Sequence, residues 1–164
     1  MNQAPFRSLA AGEGETLWFA GAHQTVKHPG EWSDRKFSLV EVAMPRGRAT
    51  PLHRDPSDET FYLLEGELLF HVGGTEHRAG AGDTVALRCG TAHAFVVTSD
   101  FARFLVLNTP GTHDSYFRDG GEPATHSDFA AAPAPDHERM EAANRKHDIQ
   151  MLGPPPFTDI ELAG

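Results

Sequence analysis

The sequence predicts an all-β fold, a jelly-roll barrel of antiparallel strands in a single domain. Many short β-prone segments follow one another at spacings of roughly 8 to 12 residues, with glycine turns and no helical pattern between them. The length of 164 residues fits one domain that can bury its own core without disulfide or metal crosslinks.

The strands are predicted from aromatic and β-branched runs bounded by turn residues. The first strand is expected at 16–20, and residues 67–78 are expected to form a hairpin around Gly73 and Gly74, because this turn needs positive φ. The end of a second strand is expected at 26–30. Further strands are predicted before Gly66 and at 36–44, 83–87, 93–98 and 101–108.

The chain is predicted to divide into three parts, which are an unpatterned segment at 1–15, the barrel at 16–110 and a C-terminal segment at 111–164. Glycine, proline and alanine dominate after Pro110, so the chain is expected to run over the barrel surface as loop and turn as far as Pro135. A short helix is then predicted at 136–147, and Asp136 can cap it.

The charge balance argues against two classes of partner. The chain has 14 basic and 23 acidic residues, a net charge of −9 and a sequence pI near 5.5. This balance disfavours nucleic acid and anionic membrane surfaces. A single cysteine, Cys89, cannot form an internal disulfide, and the sequence shows neither a secretory signal nor a membrane-spanning apolar run. We therefore predict a cytoplasmic protein.

Four potential metal ligands lie beside two predicted strands. His53 and Asp55 have one residue between them, so their side chains point to the same face of an extended segment. Glu59 follows a Pro-Ser turn that can bring it back toward them, and a second strand and glycine turn deliver His93. Imidazole and carboxylate groups drawn from two hairpins can close a metal site in the mouth of a barrel.

The sequence does not decide how the carboxylate of Asp55 would contact the metal ion. The carboxylate is shorter than an imidazole, so Asp55 could pull the ion toward its own strand, reach it through a water, or leave the position vacant. Two carboxylates would neutralise a divalent ion, so a bound water should be less acidic than at a site with one carboxylate. Oxygen ligands with open positions favour Fe, Mn, Ni or Co over a closed structural zinc.

Together these stretches resemble the two motifs of the cupin superfamily. The motif spacing is matched at six positions: His53, Glu59, Gly66, Gly82, Gly90 and His93. Arg88 stands where the second motif has proline, and Asp55 stands where the first motif has its second histidine. Segments 15–19, 61–67 and 107–111 resemble the quercetin dioxygenase-like branch of small single-domain cupins.

The resemblance implies a double-stranded β-helix over 16–110 and a divalent metal held by His53, Glu59 and His93, with Asp55 as the candidate fourth ligand. It also implies a dioxygenase-type oxidoreductase that acts on a small hydroxylated aromatic, flavonol- or catechol-like. Glu59 would double as the base that accepts the substrate's hydroxyl proton. No organic cofactor is expected. Asp55→His is predicted to raise metal affinity, because it restores the family's ligand set.

Two other functions stay open from the sequence. The same barrel serves non-catalytic small-molecule-binding proteins, and this alternative is favoured if Asp55 faces solvent and no metal is retained. A cupin isomerase would use a His or Tyr acid/base pair without metal, but Tyr62 lies on the strand face opposite to Glu59.

Residues beyond the ligands carry the remaining predictions. Phe61 and Phe95 each lie two residues after a candidate ligand, so they should face inward and contact the small-molecule substrate. A homodimer is expected, because small cupins expose strand edges that can pair with another subunit. The other histidines lack ligand spacing and are expected at the surface or half buried, with His113, after the last strand, less firmly assigned: His23, His28, His71, His77, His113, His126, His137 and His147.

Overall fold

The computed structural model describes residues 5–163, which form two antiparallel sheets facing each other as a jelly-roll barrel. Residues 1–4 of the predicted N-terminal segment and residue 164 lie outside the described part. The strands β1 to β12 are Glu15–Phe19, Ala22–His28, Ser38–Pro45, Leu52–Arg54, Asp58–Glu65, Glu67–Val72, Thr75–Gly80, Thr84–Leu87, His93–Val97, Phe101–Thr109, Glu122–Pro123 and Gln150–Gly153. The helices α1 and α2 are His113–Gly120 and His137–Lys146, and 3-10 turns occur at Gly30–Ser33 and Phe129–Ala131.

The inward faces of the two sheets bury the core. The larger sheet has the strand order β11-β1-β2-β3-β10-β5-β8, and the smaller has the order β12-β4-β9-β6-β7. Every second residue of β3, from Ser38 to Met44, is buried, and β10 shows the same pattern from Ala102 to Asn108. This period of two is the reason that the sequence forms strands here, since only strands alternate their side chains between two faces.

The predicted all-β jelly roll with a C-terminal helix is confirmed. The hairpin of β6 and β7 turns at Gly73 and Gly74, whose φ angles are 58° and 83°, as the sequence predicts. The second strand begins earlier than the predicted stretch, at Ala22, because Ala20 and Gly21 adopt positive φ and turn the chain directly after β1.

The C-terminal segment differs from its prediction as loop and turn up to Pro135, because α1 forms within it. The buried face of α1 includes His113, Tyr116, Phe117 and Gly120, and the two aromatic residues join the main core. The helix has only eight residues between glycines, so the composition of the surrounding segment conceals it. The strand β12, also not predicted, pairs with β4 at the edge of the smaller sheet.

Two glycines allow the close packing that positions the start of α1. A Cβ atom on Gly30 would collide with the carbonyl oxygen of Gly111, and a Cβ atom on Gly111 would collide with the backbone of Phe37. The fully buried Asp114 then accepts hydrogen bonds from the Gly30 N–H at 3.2 Å and from Arg118 at 2.8 Å. These contacts fix the first turn of α1, which carries His113.

The predicted helix at 136–147 is confirmed as α2, and Asp136 caps its first turn. It packs on α1, where the Tyr116 hydroxyl donates a hydrogen bond to Oδ1 of Asn144 at 2.8 Å. Neither helix within residues 5–163 is long and apolar enough to cross a membrane.

Candidate metal centre

Two histidines lie side by side because their strands pair. His53 on β4 and His93 on β9 are direct cross-strand partners, and their ring centroids are 4.3 Å apart. Nδ1–H of His53 donates to the carbonyl oxygen of Pro51 at 2.7 Å, and Nδ1–H of His93 donates to that of Thr91 at 2.9 Å. A backbone carbonyl only accepts hydrogen bonds, so the neutral form of each ring keeps its lone pair on Nε2, the atom that can bind a metal.

Asp55 lies in the turn between β4 and β5 and faces inward on the same side as His53. It is only 4% exposed, so Asp55 does not face solvent, which was one of the two conditions that would favour the non-catalytic alternative. Its Oδ2 atom is 3.2 Å from Nε2 of His53 and 3.7 Å from Nε2 of His93. Its Oδ1 atom is 3.2 Å from Nε2 of His113.

Glu59 projects from the inner face of β5 and completes the group. Its Oε2 atom lies 3.0 Å from Nε2 of His93. Its Oε1 atom accepts a hydrogen bond from Nδ2 of Asn108 at 3.1 Å, because Asn108 is directly opposite Glu59 in the β5–β10 pair. Both Glu59 and Asn108 are buried.

Each of the two carboxylates therefore has one oxygen bound by a neighbouring donor and one free oxygen. The free oxygens, Oδ2 of Asp55 and Oε2 of Glu59, and also Nε2 of His93, are buried without a hydrogen-bond partner among the described residues. Ligand atoms about 2.1 Å from one ion lie roughly 3 to 4 Å apart. The ligand atoms of His53, Asp55 and His93 lie within 4.8 Å of one another and could hold one divalent metal ion, and Oε2 of Glu59 adjoins them at 3.0 Å from Nε2 of His93. Nε2 of His53, Nε2 of His93, Oδ2 of Asp55 and Oε2 of Glu59 are called the donor cluster below.

The expectation for His113 as a surface or half-buried histidine is wrong. His113 is 5% exposed and enters the site from α1. Its Nε2 atom also lies 3.5 Å from Oε1 of Glu59, and its Nδ1 atom lies 3.3 Å from the hydroxyl of the buried Ser57. Asp55, Glu59 and His113 thus form a second group of potential ligands. His113 faces Oδ1 of Asp55 and Oε1 of Glu59, called the outer carboxylate oxygens, which point away from the donor cluster. We therefore assign His113 the role of orienting Asp55 and do not count it among the atoms of the donor cluster.

The charges in the site couple Asp55 to two imidazoles. Burial raises the pKa of Asp55, but the neighbouring imidazoles of His113 and His53 outweigh burial and hold this pKa far below its usual range. Burial lowers the pKa values of His53 and His113, but the adjacent carboxylates, chiefly Asp55, outweigh burial and raise both. The metal-free site therefore favours an ionised Asp55 and stabilises the protonated form of both histidines.

The raised pKa of His113 predicts how the pH changes the stability of the metal-free protein. A raised histidine pKa contributes stability that is present below about pH 6.5 and is lost as the pH rises through the folded-state value. We expect the loss of unfolding free energy caused by His113→Gln to be larger at pH 6 than at pH 8.5, as measured by urea denaturation of chelator-treated protein.

Burial lowers the pKa values of His23 and His28, so these two residues change the unfolding free energy with pH in the direction opposite to His113. They are present in both parent and variant, so the difference between the two proteins isolates the effect of His113. The lowered pKa of Asp55 acts only below about pH 4 and does not enter this range. A parent–variant difference that grows from pH 6 to pH 8.5 would contradict the prediction.

His113 should also affect metal binding through Asp55. Residues that orient a ligand typically contribute about 10- to 100-fold to metal affinity. We expect His113→Ala to weaken the binding of Co(II) by this factor in isothermal titration calorimetry. The matched control is His77→Ala, which changes an exposed histidine of β7 and should leave the affinity unchanged. Equal affinities for all three proteins would show that His113 has no part in the site.

The donor cluster opens into a cavity of about 820 Å³ of empty space, part of it open to solvent. Phe61 and Phe95, predicted to face inward, line this cavity with their ring centroids 5.6 Å apart. Their role as substrate contacts stays a prediction. The C-terminal segment also contributes to the wall, through Tyr116 and Phe117 of α1, Met140 of α2 and Met151 of β12.

The two tyrosines bear on the isomerase alternative. Tyr62 is 45% exposed on the outer face of β5, consistent with its predicted orientation away from Glu59. Tyr116 lines the cavity, but its hydroxyl donates to Asn144, and burial together with the nearby carboxylates raises its pKa. Tyr116 is therefore poorly suited to donate or accept protons in catalysis.

A family model for the cupin domain matches residues 40–108, the stretch that contains all four side chains of the donor cluster and ends before His113. This stretch is a cupin domain, and the double-sheet barrel has the fold of solved cupin structures.

The chain is similar in sequence or in fold to proteins that carry different functional descriptions. The chain is 26% identical over 126 residues to quercetin 2,3-dioxygenase of Bacillus subtilis; the match covers 76% of this chain but only 37% of that enzyme. A predicted oxalate decarboxylase from Thermotoga maritima superposes with a TM-score of 0.59 at 20% identity, covering 63% of this chain and 99% of that one. An RmlC-like cupin from Shewanella frigidimarina has a TM-score of 0.56 at 19% identity, with coverages of 70% and 99%.

Proposed function

We propose that this cupin is a metal-dependent, dioxygenase-type oxidoreductase that acts on a small hydroxylated aromatic molecule, flavonol- or catechol-like. The observation that carries the proposal is a cluster of potential metal ligands at the wall of an apolar cavity, in which three ligand atoms are buried without a hydrogen-bond partner among the described residues. The similarity to quercetin 2,3-dioxygenase supports the reaction class.

The donor set favours certain metals. Two imidazole nitrogens and two carboxylate oxygens suit Fe, Mn, Ni or Co, whereas closed structural zinc sites are commonly rich in cysteine. The chain has one cysteine, Cys89, which is exposed. His53 is the most accessible of the four side chains, at 13% exposure. The donor cluster is therefore open to the cavity at His53, where a substrate could approach the metal.

His53, His93, Asp55 and Glu59 would hold a redox-active divalent ion, which would supply a Lewis-acid position for the substrate's oxygen atoms and electron chemistry with dioxygen. Glu59 is the candidate base for the substrate's hydroxyl proton. Asp55 is a poor base, because His113 and His53 hold its pKa far below the usual range despite burial. The two carboxylates therefore have different roles, Asp55 as anionic anchor and Glu59 as proton acceptor.

The rest of the cavity suits an aromatic substrate. Phe61, Phe95 and Phe104 form an aromatic group with centroid distances between 5.6 and 6.0 Å, and all three line the cavity. Aromatic rings pack edge-to-face and offset at such distances, so a planar ring system can pack among them.

The proposal is tested by oxygen uptake. Chelator-treated protein is reloaded separately with Fe(II), Mn(II), Ni(II), Co(II) or Zn(II), and dioxygen consumption is measured with quercetin and with 4-methylcatechol. We expect uptake with at least one of the first four metals and none with zinc. If the loaded protein binds either compound without consuming dioxygen, the non-catalytic binding protein is the correct function.

Two further predictions accompany this function. We propose a cytoplasmic location and a homodimer, the latter because the short edge strands β8 and β12 have backbone groups that another subunit could pair with. Light scattering at high concentration tests the dimer, and a monomer would contradict it.

A further inference from the structure

Gln24 is a polar residue in an apolar part of the cavity. It projects from the inner face of β2, is 3% exposed and lines the cavity together with its cross-strand neighbour Val42. Its Oε1 atom is fully buried and has no hydrogen-bond partner among the described residues. On the other side, its neighbour in β1 is the buried Leu17, which offers no polar side chain.

Other polar side chains of the cavity outside the metal centre are already engaged. The hydroxyl of Thr50 accepts a hydrogen bond from the N–H of Phe95 at 3.0 Å, and the hydroxyl of Tyr116 donates to Asn144. Burying an amide without a partner costs free energy, and most buried polar groups in proteins are hydrogen-bonded. The free amide of Gln24 is therefore a feature that the fold alone does not explain.

The register of the larger sheet shows where Gln24 lies relative to the metal centre. Gln24, Val42, Phe104 and Leu63 form one row across four strands, whereas Glu59 lies four residues before Leu63 on β5. Four residues correspond to about 13 Å along a strand. Phe61 lies between these two levels on β5, and its ring centroid is 6.0 Å from that of Phe104 in the Gln24 row.

We propose that Gln24 determines ligand specificity by hydrogen-bonding a hydroxyl or carbonyl group at the end of the ligand remote from the donor cluster. The ligand is thus an elongated, largely aromatic molecule with a chelating group at one end and a second polar group at the other. An amide can both donate and accept, so it suits either group. The inference rests on the proposed function, which supplies the metal that binds the chelating group of the ligand. It adds Gln24 as the residue that recognises the polar group at the other end.

The test compares two flavonols. Kaempferol and 3-hydroxyflavone share the chelating 3-hydroxyl and 4-carbonyl, but only kaempferol has the distal 7- and 4′-hydroxyls. Binding to Ni(II)-loaded protein is measured without dioxygen by fluorescence titration. We expect the parent to bind kaempferol about 3- to 10-fold more tightly, the range of one net hydrogen bond. In Gln24→Leu this ratio should fall to one or below, with the affinity for 3-hydroxyflavone retained.

The matched control is Gln150→Leu, the same substitution at an exposed position on β12, which should keep the parent's ratio. Thermal stability separates recognition from a structural role. Because the Gln24 side chain has no hydrogen-bond partner within residues 5–163, Gln24→Leu should unfold at the same or a higher temperature than the parent, whereas a structural role would lower it.

Two failures are distinguishable. A kaempferol preference that survives in Gln24→Leu would overturn the role of Gln24 and leave the proposed function intact. If neither flavonol binds the loaded parent, the flavonol class of the proposed function is wrong, and the inference falls with it.

Discussion

Glu59→Ala is expected to lower the affinity for divalent metal by more than about 100-fold and to abolish oxygen uptake. The expected effect exceeds the 10- to 100-fold typical of residues that only orient ligands, because Glu59 provides a donor atom itself. The substitution also removes the candidate base and leaves Nδ2 of Asn108 without its acceptor. Co(II) titration by calorimetry measures the affinity, and an oxygen electrode measures the activity.

The matched control for this substitution is Glu65→Ala on the same strand, because Glu65 is exposed and distant from the cavity wall. It should bind metal as the parent does. If Glu59→Ala retained the parent's metal affinity, Oε2 of Glu59 would not be a donor atom, and the assignment of the donor cluster would be wrong.

Asp55→Asn is expected to have a comparably large effect on metal affinity, again more than about 100-fold. The amide keeps the shape of the side chain but removes the negative charge that offsets the ion and the neighbouring imidazoles. The control is Asp58→Asn, which keeps the oxygen that accepts the N–H of Cys89 at 2.8 Å. Calorimetric affinities equal to the parent's for Asp55→Asn would exclude Asp55 from the site.

The structure reverses the prediction for Asp55→His. From the sequence, a histidine at this position should raise metal affinity by restoring the family's ligand set. However, His113 already lies 3.2 Å from the Asp55 carboxylate, so a fourth imidazole would crowd it and remove its hydrogen-bond acceptor. We therefore expect Asp55→His to bind Co(II) more weakly than the parent. The double variant Asp55→His/His113→Ala removes the crowding and should bind more tightly than Asp55→His alone.

The positions of the donor cluster could be predicted from the sequence because they depend on local geometry. His53 and Asp55 share a face through strand alternation, and a short turn returns Glu59 to them. His93 required only that β9 pair near β4, which the motif spacing indicated. The core strands followed from the same alternation, and this is why most of the barrel was predictable.

His113 could not be assigned from spacing, because its contact with Asp55 spans 58 residues and depends on how α1 enters the barrel. A signal was nevertheless present. His113, Tyr116, Phe117 and Gly120 repeat at helical intervals of three and four residues, with Arg118 four residues after Asp114. Gln24 carried no such signal, because a glutamine in an alternating strand is ordinarily placed on the polar face.

The most direct test of the metal centre is an anomalous-difference map from a crystal of Co(II)-loaded protein. The donor cluster predicts one peak about 2.0 to 2.3 Å from Nε2 of His53, Nε2 of His93, Oδ2 of Asp55 and Oε2 of Glu59. A peak bound instead by His113 and the outer carboxylate oxygens, or no peak inside the barrel, would contradict the account.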